Sequence, residues 1–195
     1  MSRQRKTLLT PKEYLAIERQ SEFKHEYFAG EMFAMVGASK RHNLITANII
    51  RILGNQLLER PCNVYSSDMR VKVNATGKYI YPDVVMACEE EQFDDAENDT
   101  LLNPVVVIEV LSESTEAYDQ GKKFEQYQFV ESLTEYLLIA QEPFRVEQYV
   151  RQSDRQWRYS EYHHADDVVK ISVIDCELTL KDVYAKAEWC SSRHT

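Results

Sequence analysis

Residues 103–140 (NPVVVIEVLSESTEAYDQGKKFEQYQFVESLTEYLLIA) constrain the fold most, because they set a charge inside an apolar strand. From 105 to 111, Val105, Val107 and Leu111 line one face and Val106, Ile108 and Val110 the other. That is the pattern of a strand covered on both sides, as in a sheet layered between helices. Glu109 sits in the middle of it. A carboxylate there is costly unless it is paired or coordinates a metal. Ser112 and Ser114 mark a turn, and Thr115-Glu116 offers a helix start. A helix from 116 to about 130 would carry Asp119, Lys123 and Tyr127 on one face through their four-residue spacing. Residues 136–139 read as a second buried strand, so strand, helix and strand form a parallel unit.

A second carboxylate has a similar setting. Pro82 cannot donate to a sheet ladder and marks a strand edge, start or bulge, and Asp83 follows it into another apolar run. Asp83 and Glu109 could hold Mg²⁺ or Mn²⁺ through hard oxygen ligands. Such a metal would polarise a phosphate and lower the pKa of a bound water. Lys123 would orient that water or neutralise charge on the phosphorane. Taken singly, Asp83 also reads as a turn residue, and Lys123 as a partner of Asp119 or Glu116 on a solvated helix face. Glu109 does not fit an exposed reading.

The matching motifs are KHEYFAGEMFAMVGAS (24–39) with His42, SDMRV (67–71), YPDVVM (81–86), VIEVLSEST (107–115), Asp119-x₃-Lys123-x₃-Tyr127, and EYLLI (135–139). This ordered set resembles the PD-(D/E)XK nuclease superfamily, and within it the putative restriction endonuclease family of uncharacterised bacterial proteins. The resemblance implies an α/β (α+β) fold: a restriction-endonuclease-like core with a central mixed sheet flanked by helices. It also implies a metal-dependent endonuclease acting on DNA, with Asp83, Glu109 and Lys123 catalytic and Asp83 and Glu109 the metal ligands. The superfamily's lysine stands two residues after the glutamate, where this chain has Leu111. The resemblance maps its counterpart onto Lys123. His42, Glu26, Tyr127 and Asp68 are candidates for supporting positions. Three of them have a plainer reading: His42 a packed helix-start histidine, Glu26 an exposed strand carboxylate, Asp68 a partner of Arg70.

The 195 residues suffice for a single domain with a sizeable core. It divides into an N-terminal helix and hairpin (1–38), the nuclease-like core (39–140) and an antiparallel extension with a closing helix (141–195). No run of about 18 apolar residues occurs, so no membrane span is expected. The basic start lacks an apolar segment, and Cys62, Cys88, Cys176 and Cys190 form no C-x-x-C pair. These features predict reduced thiols in the cytoplasm. The net charge of −9 is awkward for a nucleic-acid binder. Seven of the acids fall in EEEQFDDAEND (89–99), and without them the balance is −2. That segment reads as a solvated, mobile excursion.

In chain order, Thr10-Pro11-Lys12-Glu13 predicts a capped helix to about Gln20. Residues 23–29 and 31–36 suggest a hairpin about Gly30, and Ser39 caps a long helix with an Ile45, Ile49, Ile52, Leu53 and Leu57 stripe. Strands follow at 63–66, 69–73 and through Asp83. Beyond 143 come antiparallel strands at 144–151, 156–162 and 168–174, with turns at Ser153-Asp154 and 165–167, and a closing helix over 180–189. A C₂ homodimer would bring two sites to two DNA strands. The rival reading is a nuclease fold kept as a binding or assembly module without catalysis, favoured by the acidic balance and Leu111. A third is hydrolysis of RNA.

Overall fold

The computed structural model describes residues 8–112, 116–142, 144–152 and 156–187. The expected helix start at Thr115, the turn at Ser153-Asp154, Cys190 and the end of the closing helix lie outside them. Helix α1 (Pro11–Glu18) begins where the capping box predicts, with Thr10 and Glu13 exchanging side-chain and backbone bonds. The hairpin β1 (His25–Phe28) and β2 (Glu31–Ala34) turns through Ala29 and Gly30, both at positive φ. Helix α2 (Lys40–Gln56) is capped by Ser39 and buries Ile45, Ile49 and Leu53.

Strands β3 (Cys62–Ser66), β4 (Arg70–Val73), β5 (Lys78–Ile80), β6 (Val84–Cys88), β7 (Thr100–Leu101) and β8 (Val106–Val110) follow. The expected single strand through Asp83 is two. Tyr81 to Asp83 break it, and β5 and β6 enter different sheets. The break falls at Pro82, which has no amide hydrogen to give to a ladder. The predicted helix after β8 is α3 (Glu116–Tyr118), a π-helical turn (Asp119–Lys123) and α4 (Phe124–Tyr127). Then come β9 (Glu135–Ile139), β10 (Val146–Arg151), β11 (Trp157–Tyr162), β12 (Val168–Ile171), β13 (Cys176–Thr179) and α5 (Leu180–Val183). The closing helix is thus a short one, and β13 was not anticipated.

The central mixed sheet has the order β11-β10-β9-β8-β6-β3, with β8 and β9 parallel as predicted and the C-terminal strands β10 and β11 added antiparallel. Alternation divides its two faces. Val84, Met86, Val106, Ile108, Val110, Leu137 and Ile139 pack with α2, the β12-β13 ribbon and α5. Val85, Ala87, Val107, Leu111, Tyr136 and Leu138 pack with Phe124 and Tyr127 of α4 and with β4, β5 and β7 of a second sheet, ordered β2-β1-β5-β4-β7. Glu109 falls on the second face by parity.

Two expectations fail for a shared reason, partners remote in sequence. Cys62 and Cys88 are bonded as a disulfide rather than free, because antiparallel β3 and β6 bring them directly opposite each other. The acidic segment 89–99 is pinned, not a free excursion. Arg19 Nη2 meets Asp95 at 2.8 Å and its Nε meets Asp99 at 2.8 Å; Arg70 also pairs with Asp99, and Lys72 with Asp94. Tyr65 bonds Glu91 and Tyr79 bonds Asp94. Arg19 and then Arg70 hold the Asp99 carboxyl below the usual carboxylate range against its partial burial. A depressed folded-state pKa supplies stability that is present above the unfolded value of about 3.9 and is lost as pH falls through the folded one. Asp99→Asn is therefore expected to be less stable than wild type at pH 7 and to lose less on acidification, a difference in urea melts that starts to narrow as pH falls past the unfolded value and closes only below the folded-state pKa.

Candidate active site

The antiparallel register Val84↔Ile108, Val85↔Val107 and Met86↔Val106, continued one step, sets Asp83 opposite Glu109 on the same sheet face. The bonds agree. The amide of Val110 donates to Asp83 Oδ2 at 2.7 Å, and the amide of Asp83 lies 3.4 Å from Glu109 Oε2. His42, in the first turn of α2, places Nε2 3.1 Å from Asp83 Oδ2. Its Nδ1 is buried with no hydrogen-bond partner among the described residues.

The π turn delivers Lys123 from the opposite layer. Its Nζ lies 2.9 Å from Glu109 Oε1, 3.6 Å from Asp119 Oδ1 and 3.8 Å from Glu26 Oε1. It also reaches the carbonyl of Tyr81 at 3.5 Å. The Tyr127 hydroxyl sits 3.4 Å from Glu109 Oε1. Glu26 comes from β1 and Lys78 from β5; their charges are 3.9 Å apart and Tyr118 bridges them, its hydroxyl donating to Glu26 Oε2 at 2.8 Å. Lys78, Tyr118 and Asp119 were not among the residues predicted from sequence for this site. Asp119 alone had a signal, the D-x₃-K spacing. Asp68 is not here: its side chain is 81% exposed and pairs with Lys24, while Arg70 turns to Asp99 and Tyr81.

Glu109, Lys123, Asp119, Glu26 and Lys78 are all buried at the base of a cleft of about 1450 Å³. Four carboxylates, counting Asp83, face two lysines, so the ionised cluster carries two negative charges in excess. Burial pushes the Glu109 carboxyl well above its ordinary value; Lys123 opposes this and Asp83 and Asp119 add to it. Burial would lower the Lys123 ammonium, but Glu109, Glu26 and Asp119 outweigh it and hold the group above the usual lysine range. Burial leads at Glu109 and is overcome at Lys123, while the neighbouring carboxylates push both groups the same way. Surplus negative charge keeps Lys123 charged and favours a proton or a cation on Glu109.

Among the described residues no three His, Cys, Asp or Glu side chains converge as a ready-made metal cage. A hard divalent cation that keeps several waters needs fewer, and one or two carboxylates suffice for Mg²⁺. Asp83 and Glu109, facing one cleft in a cluster short of positive charge, fit that requirement.

The family described as "Uma2: Putative restriction endonuclease" matches residues 11–181. The chain belongs to this family. Two relatives from Synechocystis sp. are uncharacterized proteins. The protein sll1609 is 40% identical over 154 residues, 79% of this chain and 87% of that one. The protein slr1290 is 34% identical over 176 residues, 90% and 91% of the two chains. A crystal structure described as a putative nuclease belonging to DUF820, from Anabaena variabilis, superposes with a TM-score of 0.74 at 17% identity, over 92% of this chain and 99% of that one. That identity carries the fold: a restriction-endonuclease-like core, as the motif order implies. No helix among the described residues is long and apolar enough to cross a membrane.

Proposed function

We propose that this Uma2-family chain is a metal-dependent endonuclease that hydrolyses DNA phosphodiester bonds, with Asp83 and Glu109 holding Mg²⁺ or Mn²⁺. One observation carries the reading: Lys123 stands 2.9 Å from Glu109, so a lysine reaches the glutamate although position 111 is an apolar leucine. When bound, the cation would polarise the phosphate and acidify a water. The chain's own residues do the rest. The Val110 amide and His42 fix the Asp83 carboxylate. Lys123 offers its charge to the phosphorane or orients the attacking water, and Asp119 and Glu26 keep that charge in place. Tyr127 steadies Glu109 from the helix side. A homodimer that presents two such sites belongs to the same proposal.

Cleavage of supercoiled plasmid tests it. Nicking is expected with Mg²⁺ or Mn²⁺ and not with EDTA, and Asp83→Asn and Glu109→Gln should each reduce it at least about 10³-fold, since the ligands act as a unit. Glu109→Gln should melt close to wild type, because an amide removes a buried charge that the fold does not favour. Nicking that is indifferent to metal or to both substitutions would remove the assignment and favour the non-catalytic binding module.

A further inference from the structure

The cleft is poorly equipped to hold a duplex by its backbone. Its lining has eight carboxylates against six lysines and arginines. Five of those six cations are already in ion pairs: Lys24 with Asp68, Arg41 with Glu142, Lys78 with Glu26, Lys123 with Glu109 and Arg145 with Glu116. Duplex binding rests on many Lys and Arg contacts to phosphates. If nucleic acid enters this cleft, another kind of contact must hold it.

The hairpin supplies one. In the β1-β2 register Glu26 pairs with Phe33 and Tyr27 with Met32, and directly opposed residues share a face. Tyr27 and Met32 pack inward with Tyr14 and Tyr79. The other face carries Glu26, whose carboxylate reaches Lys123, together with Phe33 and, two residues along β1, Phe28. Both phenylalanines line the cleft and stay open to solvent, Phe28 at 37% and Phe33 at 49%. The Phe28 ring also lies under Lys78 Nζ, 5.8 Å from its centroid. Two exposed aromatic rings thus flank a carboxylate of the catalytic cluster, on the same strand face.

We propose that the cleft receives DNA with unpaired bases, and that Phe28 and Phe33 are the surfaces on which those bases stack beside the bond to be cut. Every base has a π-face, and stacking on aromatics binds single strands without relying on a strongly basic groove. The proposal rests on the nuclease reading of the cleft and narrows its substrate.

The test is fluorescence anisotropy in EDTA, where no cleavage occurs, with a labelled oligonucleotide of about 12 nucleotides as single strand and as duplex. The single strand should bind at least about tenfold more tightly. Phe33→Ala and Phe28→Ala should each weaken it about 5- to 150-fold, and Phe33→Trp should restore it. Equal or stronger duplex binding, no binding of either form, or alanine variants that bind like wild type would each overturn the proposal. So would a Phe33→Ala change in sedimenting mass with binding intact, which marks the face as an interface between copies. Metal-dependent nicking without single-strand preference keeps the nuclease and removes this inference; single-strand preference without nicking does the reverse.

Discussion

Lys123→Met is expected to abolish plasmid nicking and to destabilise the fold by about 3–5 kcal/mol, the cost of leaving partners buried without their counter-charge. Lys123 is 5% exposed, and Glu109, Asp119 and Glu26 all lie within 4 Å of its Nζ. With the ammonium gone, Lys78, which reaches Glu26 at 3.9 Å, is the cation left within the cluster among the described residues. A lysine whose folded-state pKa is raised contributes stability fully present below its unfolded value of about 10.4, so the whole loss is felt at pH 7. Activity should fall a further way than binding, about 10²–10³-fold or more in rate, because the charge acts on the transition state. A second substitution separates the two effects. Adding Glu109→Gln to Lys123→Met removes one stranded carboxylate and should recover part of the stability, a coupling that urea melts read as a double-mutant cycle. It should recover no nicking. If Lys123→Met melts like wild type, the buried cluster is not held by this ammonium; if it nicks like wild type, Lys123 has no place in the reaction.

The half of this arrangement that lies in the sheet was legible in the sequence. Alternation from 106 to 111 reports a strand covered on both faces, and the two apolar clusters divide those residues by parity as read, whereas Val105, just before the strand, packs with Val106, Ile108 and Val110 and not with Val107 and Leu111. Glu109 stood out because no exposed reading suited it, and Pro82 marked where the strand breaks. The half that comes from other layers was legible only in part. The D-x₃-K-x₃-Y spacing assigned Lys123 to the correct element, but assumed a regular α-helix where the chain forms a π turn. Such turns have no simple sequence signal and recur at functional sites. Lys78 and Glu26 meet because β1 and β5 pair, at Tyr27↔Tyr79, across some fifty residues of chain. Asp68 was named from a matching motif and proved to face solvent, since motif order carries no direction for a side chain in a turn. The acidic segment was misread for a related reason: Arg19, Arg70 and Lys72, which neutralise it, precede it by distances that local charge patterning cannot see.

What holds the π turn against the sheet leads to the second large effect. Tyr136 of β9 is fully buried, stacked on Phe124 at 5.0 Å and near Tyr127 at 5.5 Å, and its hydroxyl donates to the backbone carbonyl of Asp119 at 3.0 Å. A π turn departs from the α-helical ladder, and this bond gives the first carbonyl of that turn a partner from outside the helix. Tyr136→Ala should cost about 3–5 kcal/mol, the range for emptying a buried aromatic site. Tyr136→Phe keeps the ring and loses only the bond, about 0.5–1.5 kcal/mol. The informative comparison is between stability and rate in that second variant. If the hydroxyl fixes the turn that carries Asp119 and Lys123, nicking should drop by more than the melting shift implies, because small misplacements of a catalytic group cost disproportionately. A Tyr136→Phe protein that nicks at the wild-type rate would show that aromatic packing alone sets the turn. In that case the position of Lys123 depends on Phe124 and Tyr127, the residues that tie the helical run to the sheet, and not on the hydrogen bond.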